Sequence, residues 1–218
     1  MKKEETVLST KPAPCRGCGF HYNCLCERIP ALQSQVRIEL LMHETEAMRA
    51  SNTGRLLEAA LPHCRRHIWQ RKTPPAELLT LLADPAAQPY LVFPSETALP
   101  LDAVVTRHSS ASYAKPLHFI IVDATWQQAR KMLRQSPWLE DIPTVTLPDG
   151  LTTNYSLRRN QPTGSLCTCE VGIEILTAMH ESENAGAVSH LFHEFIATFE
   201  ADRNHVALSQ PLSQSQQQ

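Results

Sequence analysis

Short apolar runs alternate with amphipathic stretches along this chain, a pattern that predicts strands and helices taking turns. It is clearest over residues 117–133. Phe119, Ile120, Ile121 and Val122 form an unbroken apolar run of a kind that suits a strand buried on both faces of a parallel sheet. A helix follows at once. Trp126, Ala129 and Leu133 recur at helical spacing, and Arg130, Lys131 and Arg134 fall largely around the other side. Asp123 sits at the carboxyl end of the predicted strand, where open α/β sheets bind ligands, and it either caps the helix or presents a carboxylate. Trp126, an aromatic in the helix's first turn, is available to stack on a flat or cationic ligand.

Residues 36–42 predict the first strand. Asn52 or Thr53 then caps a helix whose stripe is Leu56, Leu57, Ala60 and Leu61, and Pro62 stops it. Residues 67–71 predict a second strand, 75–83 a helix opening with proline in its first turn, and 90–93 a third strand followed by a candidate ligand loop at 94–98. No element is assigned to 99–116, whose segment 107–113 is polar. Pro137 breaks the helix after the central strand, 143–147 forms another strand, and turns fall at 148–150 and 162–164. A helix starts within 166–170 and runs through Met179. In the last helix Val188, Leu191, Phe192, Phe195, Ile196 and Phe199 keep the spacing of core packing. The expectation is an α/β fold with a mainly parallel sheet and helices on both faces. Residues 1–14 form a tail, 15–30 a small knuckle and 31–207 the main domain, with a second, Ser/Gln-rich disordered tail at 208–218.

A length of 218 residues suits one α/β domain with a small appendage. No stretch approaches the about 18 consecutive apolar residues of a membrane span, so a cytoplasmic protein is expected, with no obligate protein partner evident. Seven cysteines, an odd number, argue for metal ligation or free thiols over a disulfide framework. The formal net charge is −2, unlike that of an indiscriminate nucleic-acid binder, yet the charge is uneven. Residues 49–72 carry six basic side chains against one acidic, whereas 170–203 carry seven acidic against one basic. The basic stretch either holds an RNA backbone or is a solvated face.

Cys15, Cys18, Cys24 and Cys26 form a cluster whose two short-spaced pairs bring four sulfurs around one ion across turns eased by Gly17 and Gly19. A closed structural zinc site is favoured over an iron–sulfur centre or unligated thiols. Cys167 and Cys169 are too few for a second metal, and Cys64 reads as a buried thiol. The loop after the first strand concentrates His43, Glu44, Glu46, Arg49 and Asn52 at a strand's carboxyl end. There is no Gly-x-Gly-x-x-Gly, which argues against a Rossmann-type site.

Four stretches, in order, resemble the DTW-domain family. They are the cysteine cluster; the run from His43 through Arg49, Asn52, Thr53 and Gly54 to Arg55; Asp123-Ala-Thr125-Trp126; and Tyr155-x2-Arg158 followed by Leu166-Cys-Thr168-Cys-Glu170. Bacterial members of that family are tRNA-uridine aminocarboxypropyltransferases. The resemblance implies transfer of the 3-amino-3-carboxypropyl group of S-adenosylmethionine to N3 of a tRNA uridine, giving acp3U and methylthioadenosine. It also implies likeness to the knotted SPOUT methyltransferases, with a carboxy-terminal trefoil knot forming the cofactor pocket; physics alone argues against a threaded chain. It implies Asp123 as the base, its pKa raised by burial; Thr125 as the residue orienting the carboxylate or the cofactor; and Trp126 as a stacking surface. Pro94, Leu147, Thr168 and Glu170 complete the cofactor pocket. The resemblance implies Arg49, Asn52, Arg55, Arg65, Arg66, Arg158 and Arg159 as RNA-facing residues, with Arg49, Arg55, Arg158 and Arg159 open to either phosphates or the cofactor carboxylate. An RNA methyltransferase using the same pocket, or a non-enzymatic zinc RNA-binding protein, is the alternative.

Overall fold

In the computed structural model, six parallel-paired strands form one sheet in which β5, the apolar run of the sequence, is flanked by β1 and β3. The structure describes residues 11–208 except 113, 156 and 158–165. The expected tails over 1–10 and 209–218, the turn at 162–164, and Arg158 and Arg159 therefore lie outside the described residues.

The elements run β1 (Arg37–His43), α1 (Gly54–Ala60), β2 (Cys64–Trp69), α2 (Ala76–Ala83), β3 (Gln88–Val92), β4 (Leu99–Pro100), α3 (Leu101–Ser109), β5 (Leu117–Asp123), α4 (Trp126–Arg134), β6 (Thr144–Thr146), α5 (Thr168–Ala178) and α6 (Ser182–Arg203). The sheet order is β2-β1-β5-β3-β6-β4. Successive side chains of a strand point to opposite faces, so the sheet feeds two cores. Ile38, Leu40, Phe119 and Ile121 pack with α1, α3, α5, α6 and the cysteine knuckle. Leu41, Trp69, Leu91 and Ile120 pack with Leu78 of α2 and Met132 of α4.

Three expectations change. The second strand begins earlier, at Cys64, because the register with β1 pairs Ile38 with Cys64 and His43 with Trp69. The stretch left without an element contains β4 and α3. Leu101, Val104 and Val105 of α3 are buried at i, i+3 and i+4 spacing, a stripe too short to stand out beside the polar residues that follow. On α4 Ala129 is buried as the stripe predicts, but Met132 joins it as the most buried position and Leu133 is only half-buried, so the buried face is shifted from the expected one.

The knuckle is stapled to α6. The Asp202 carboxylate accepts the backbone N–H groups of His21 (2.9 Å), Tyr22 (2.6 Å) and Asn23 (3.1 Å). Arg28 pairs with Glu194 at 2.8 Å and donates to Thr198 at 3.0 Å. Phe20 packs its ring against Phe195 and Phe199.

Candidate functional site

A cleft of about 980 Å³ opens at the carboxyl ends of β3, β5 and β6. This is the place an open parallel sheet offers to a ligand. Phe93 and Pro94 line it after β3, Ala124 to Gln127 after β5, Leu147 to Thr152 after β6, and Cys167, Thr168 and Val171 from the start of α5. The Trp126 and Phe93 rings lie 5.7 Å apart, giving the cleft an aromatic corner.

Asp123 lies beneath this cleft, 2% exposed and not part of its lining. Asn52 Nδ2 donates to its Oδ2 at 2.7 Å and Thr168 Oγ1 to its Oδ1 at 2.6 Å. Gly54 is required here, because a Cβ at that position would stand 2.5 Å from Asp123 Oδ2. The starts of α1 and α5 thus converge on one carboxylate. Thr53 Oγ1 strengthens the junction by accepting the Cys169 N–H at 3.2 Å.

The residue that caps α4 is Thr125, not Asp123. Its hydroxyl accepts the Gln128 N–H while the Gln128 side chain accepts the Thr125 N–H, a reciprocal capping box. Of its two expected roles, orienting the Asp123 carboxylate falls to Thr168, while Thr125 itself lines the cleft. At α1 the side chain that receives a helix N–H is Asn52, whose Oδ1 accepts from Arg55 at 3.2 Å; Thr53 makes no such bond.

Of the expected cofactor residues, Pro94, Trp126, Leu147 and Thr168 line the cleft, whereas Glu170 does not. Its carboxylate accepts the Thr153 hydroxyl and the Asn154 and Cys167 N–H groups, each at 2.7 Å, and so ties the loop after β6 to α5. Tyr155 extends this wall by donating to Ser51 O at 2.6 Å. Burial, reinforced by the Glu170 charge, pushes the Cys167 thiol up to about 12, and burial also raises Cys64 and Cys169, so these thiols stay protonated.

The expected RNA-facing residues scatter. Asn52 is buried in the Asp123 network. Arg55 turns inward, donating to Cys18 O and lying 5.6 and 5.7 Å from the Phe20 and Phe195 ring centres, so it clamps the knuckle and is not a surface cation. Arg49 is exposed and pairs with Glu46 at 3.2 Å; Arg66 pairs with Glu58 at 3.3 Å; Arg65 is exposed on the edge strand β2. Among the cleft residues that the sequence does not point to, two are charged, Arg130 and Asp149. Arg130 was assigned to the side of α4 away from Trp126, but four residues separate them, and that spacing places two side chains on one helix face.

The sulfurs of Cys15, Cys18, Cys24 and Cys26 all lie within 4.8 Å of one another, with Cys15 3.7 Å from both Cys24 and Cys26. Zinc–sulfur bonds of about 2.3 Å in a tetrahedron put sulfurs about 3.8 Å apart, so the set fits one ion. Gly17 makes room, since a Cβ there would stand 2.6 Å from Cys26 Sγ. The N–H groups of Cys18 and Gly17 hold the Cys15 thiol down at about 6, while burial and neighbouring sulfurs push Cys26 up to about 12. The four cannot all ionise without a cation among them.

A DTW-domain family model matches residues 13–200. The chain belongs to the DTW-domain family. It is 28% identical over 72% of its length to tRNA-uridine aminocarboxypropyltransferase 2 of Drosophila melanogaster, covering 62% of that protein. Against tRNA-uridine aminocarboxypropyltransferase 2 of Mus musculus the identity is 26%, over 73% of this chain and 53% of the relative. Against tRNA-uridine aminocarboxypropyltransferase A of Arabidopsis thaliana it is 30%, over 52% and 47%. The match therefore spans from about half to just over three fifths of these relatives' lengths. All three are eukaryotic, so they do not carry the narrower resemblance to bacterial members. No solved structure matches the chain. No helix among the described residues is long and apolar enough to cross a membrane.

Proposed function

We propose that this DTW-family chain is a cytoplasmic tRNA-uridine aminocarboxypropyltransferase that forms acp3U with S-adenosylmethionine as donor. The observation that carries the reading is Thr168, which lines the cleft and whose hydroxyl donates to the buried Asp123 at 2.6 Å. Cleft size, the aromatic corner and a largely uncharged lining suit an adenosine-bearing ligand. Bound S-adenosylmethionine supplies a sulfonium, whose carbon–sulfur bond to the aminocarboxypropyl group breaks towards sulfur as uridine N3 bonds to that carbon, leaving methylthioadenosine.

The chain's residues divide the remaining work. Uridine N3 carries a proton that must leave as the new bond forms. Thr168 Oγ1 takes it while passing its own hydroxyl proton to Asp123 Oδ1, so Asp123 is the final acceptor although it does not line the cleft. Asn52 Nδ2 holds the other carboxylate oxygen, which fixes the relay. Trp126 stacks and excludes water; Pro94 and Leu147 close the sides; Thr125 sets the entry of α4 and with it the pose of Trp126. Arg49, Arg65 and Arg66 are the exposed arginines of the expected set left to meet tRNA phosphates, and Arg158 and Arg159, outside the described residues, stay in that set. Zinc in the four-cysteine knuckle is structural, pinning 15–30 to α6. A SPOUT-like, knotted pocket belongs to the same reading.

Two labelled donors test the assignment. With unmodified tRNA, label in the carboxyl carbon of S-adenosylmethionine should enter the RNA and methylthioadenosine should accumulate, while methyl label should not enter. Methyl transfer with adenosylhomocysteine as by-product would make the protein a methyltransferase, and binding of tRNA with no transfer would make it a binding module.

A further inference from the structure

Arg130 and Asp149 are the only charged residues lining the cleft among the described residues, and neither forms a salt bridge. Arg130 stands on α4 one turn beyond Trp126, and Asp149 belongs to the turn after β6. Both are exposed, whereas the rest of the lining is uncharged. One cation and one anion lining a single cleft do not make a phosphate site, because an RNA backbone repels a carboxylate and is held by several cations. They match a ligand end that carries both signs. A free α-amino acid group is such an end, with a carboxylate for a guanidinium fork and an ammonium for a carboxylate.

We propose that Arg130 and Asp149 form the subsite for the zwitterionic end of S-adenosylmethionine, Arg130 taking the α-carboxylate and Asp149 the α-ammonium. The proposal rests on the functional reading above and adds to it the residues that fix which end of the donor lies where. Because both side chains are exposed, that end sits at the cleft mouth, where a nucleotide arriving from solvent meets the group that is to be transferred. Uniform binding would not give this selectivity; orientation of the donor does.

Titration calorimetry of the full chain with three ligands tests it. S-adenosylmethionine carries both charges of the zwitterion, its decarboxylated form only the ammonium, and methylthioadenosine neither. Arg130→Gln should weaken S-adenosylmethionine by about tenfold and leave the other two within about threefold. Asp149→Asn should weaken S-adenosylmethionine and its decarboxylated form similarly and spare methylthioadenosine. Both sites are exposed, and matched thermal midpoints would show that the variants are folded. Equal weakening of all three ligands, or unchanged S-adenosylmethionine affinity with weaker tRNA binding by Arg130→Gln, would overturn the subsite while leaving the pocket reading in place. Wild-type protein that binds neither S-adenosylmethionine nor methylthioadenosine would overturn both.

Discussion

Asp123 and Glu39 are both carboxylates buried in the sheet, 2% and 3% exposed on the adjacent strands β5 and β1, yet they are held in opposite ways. Asp123 ends its strand, faces the α1/α5 side and is met by neutral donors from loops and helix starts, Asn52 and Thr168. Glu39 lies within its strand, faces the α2/α4 side and is met by imidazoles on the two flanking strands, His67 Nε2 at 2.6 Å and His118 Nδ1 at 3.1 Å. Inside a sheet the backbone groups are already paired, so only neighbouring side chains can satisfy a buried charge. At a strand end the connecting loops can do so, and one of those donors can also face a ligand. Thr168 donates to Asp123 and lines the cleft, whereas neither His67 nor His118, the histidine partners of Glu39, lines it. The difference separates a carboxylate joined to the cleft through one of its donors from one bonded to histidines on the two flanking strands.

The strongest way to break this contrast is Glu39→Ala. It leaves two imidazoles without their acceptor inside a packed core, and removing one partner of a buried ion pair costs about 3–5 kcal/mol. Denaturant unfolding should show a loss of that order, while turnover per folded molecule stays near wild type. A comparable loss of turnover would mean that Glu39 reaches the cleft after all. Asp123→Asn should do the opposite, lowering turnover by about 10²-fold with donor binding retained. Thr168→Val should follow it, and Thr168→Ser, which keeps the hydroxyl, should recover most of the activity. If Thr168→Val leaves turnover intact, the proton does not pass through that hydroxyl.

The two carboxylates also differ in how far the sequence revealed them. Asp123 was visible because an apolar run ends on it and an aromatic helix start follows. Glu39 was not. It stands in the run 36–42 as one of two polar interruptions, with Arg37, and His67 and His118 lie 28 and 79 residues away, so only the parallel register brings the three together. The same limit explains Arg55. A cation within a basic stretch reads as surface until the tertiary structure packs it between Cys18, Phe20 and Phe195. Thr125 and Thr168 show the limit at close range: both stand at helix starts, and which of them meets Asp123 depends on where α5 returns to the sheet. The strands and helices, by contrast, follow from local periodicity, and α3 was missed because its stripe spans barely one turn.

Acid titration probes the same contrast more gently. Burial pushes the Glu39 carboxyl up, but hydrogen bonds from His118 and His67, with the charges on those rings, outweigh it and hold the group below its ordinary value of 4.5. A depressed carboxylate contributes stability above its unfolded pKa and loses it as pH falls through the folded value. The wild-type melting temperature should therefore drop as pH falls below about 4.5, and Glu39→Gln, which cannot titrate, should lose less over the same interval. Parallel curves would show that other groups control the acid limb.

A third carboxylate sharpens the comparison at the smallest scale. Asp202 is neither in a strand nor under the cleft; it accepts three successive backbone N–H groups where the knuckle meets α6. Its donors cannot be supplied by side-chain choice, so they exist only while the knuckle keeps its turn, and the turn keeps its shape when four sulfurs share an ion. Asp202→Asn removes the charge and retains one acceptor oxygen. At this half-buried position the loss should be about 1 kcal/mol, well below that of Glu39→Ala, because hydrogen bonds to a carboxylate are partly replaced by water there. The more telling readout is metal release. A zinc-loaded Asp202→Asn protein should lose its ion to a chelator faster than wild type, with turnover unchanged once zinc is restored. Release at the wild-type rate would mean that the four thiolates hold the knuckle closed unaided, and that Asp202 only fixes its position on α6.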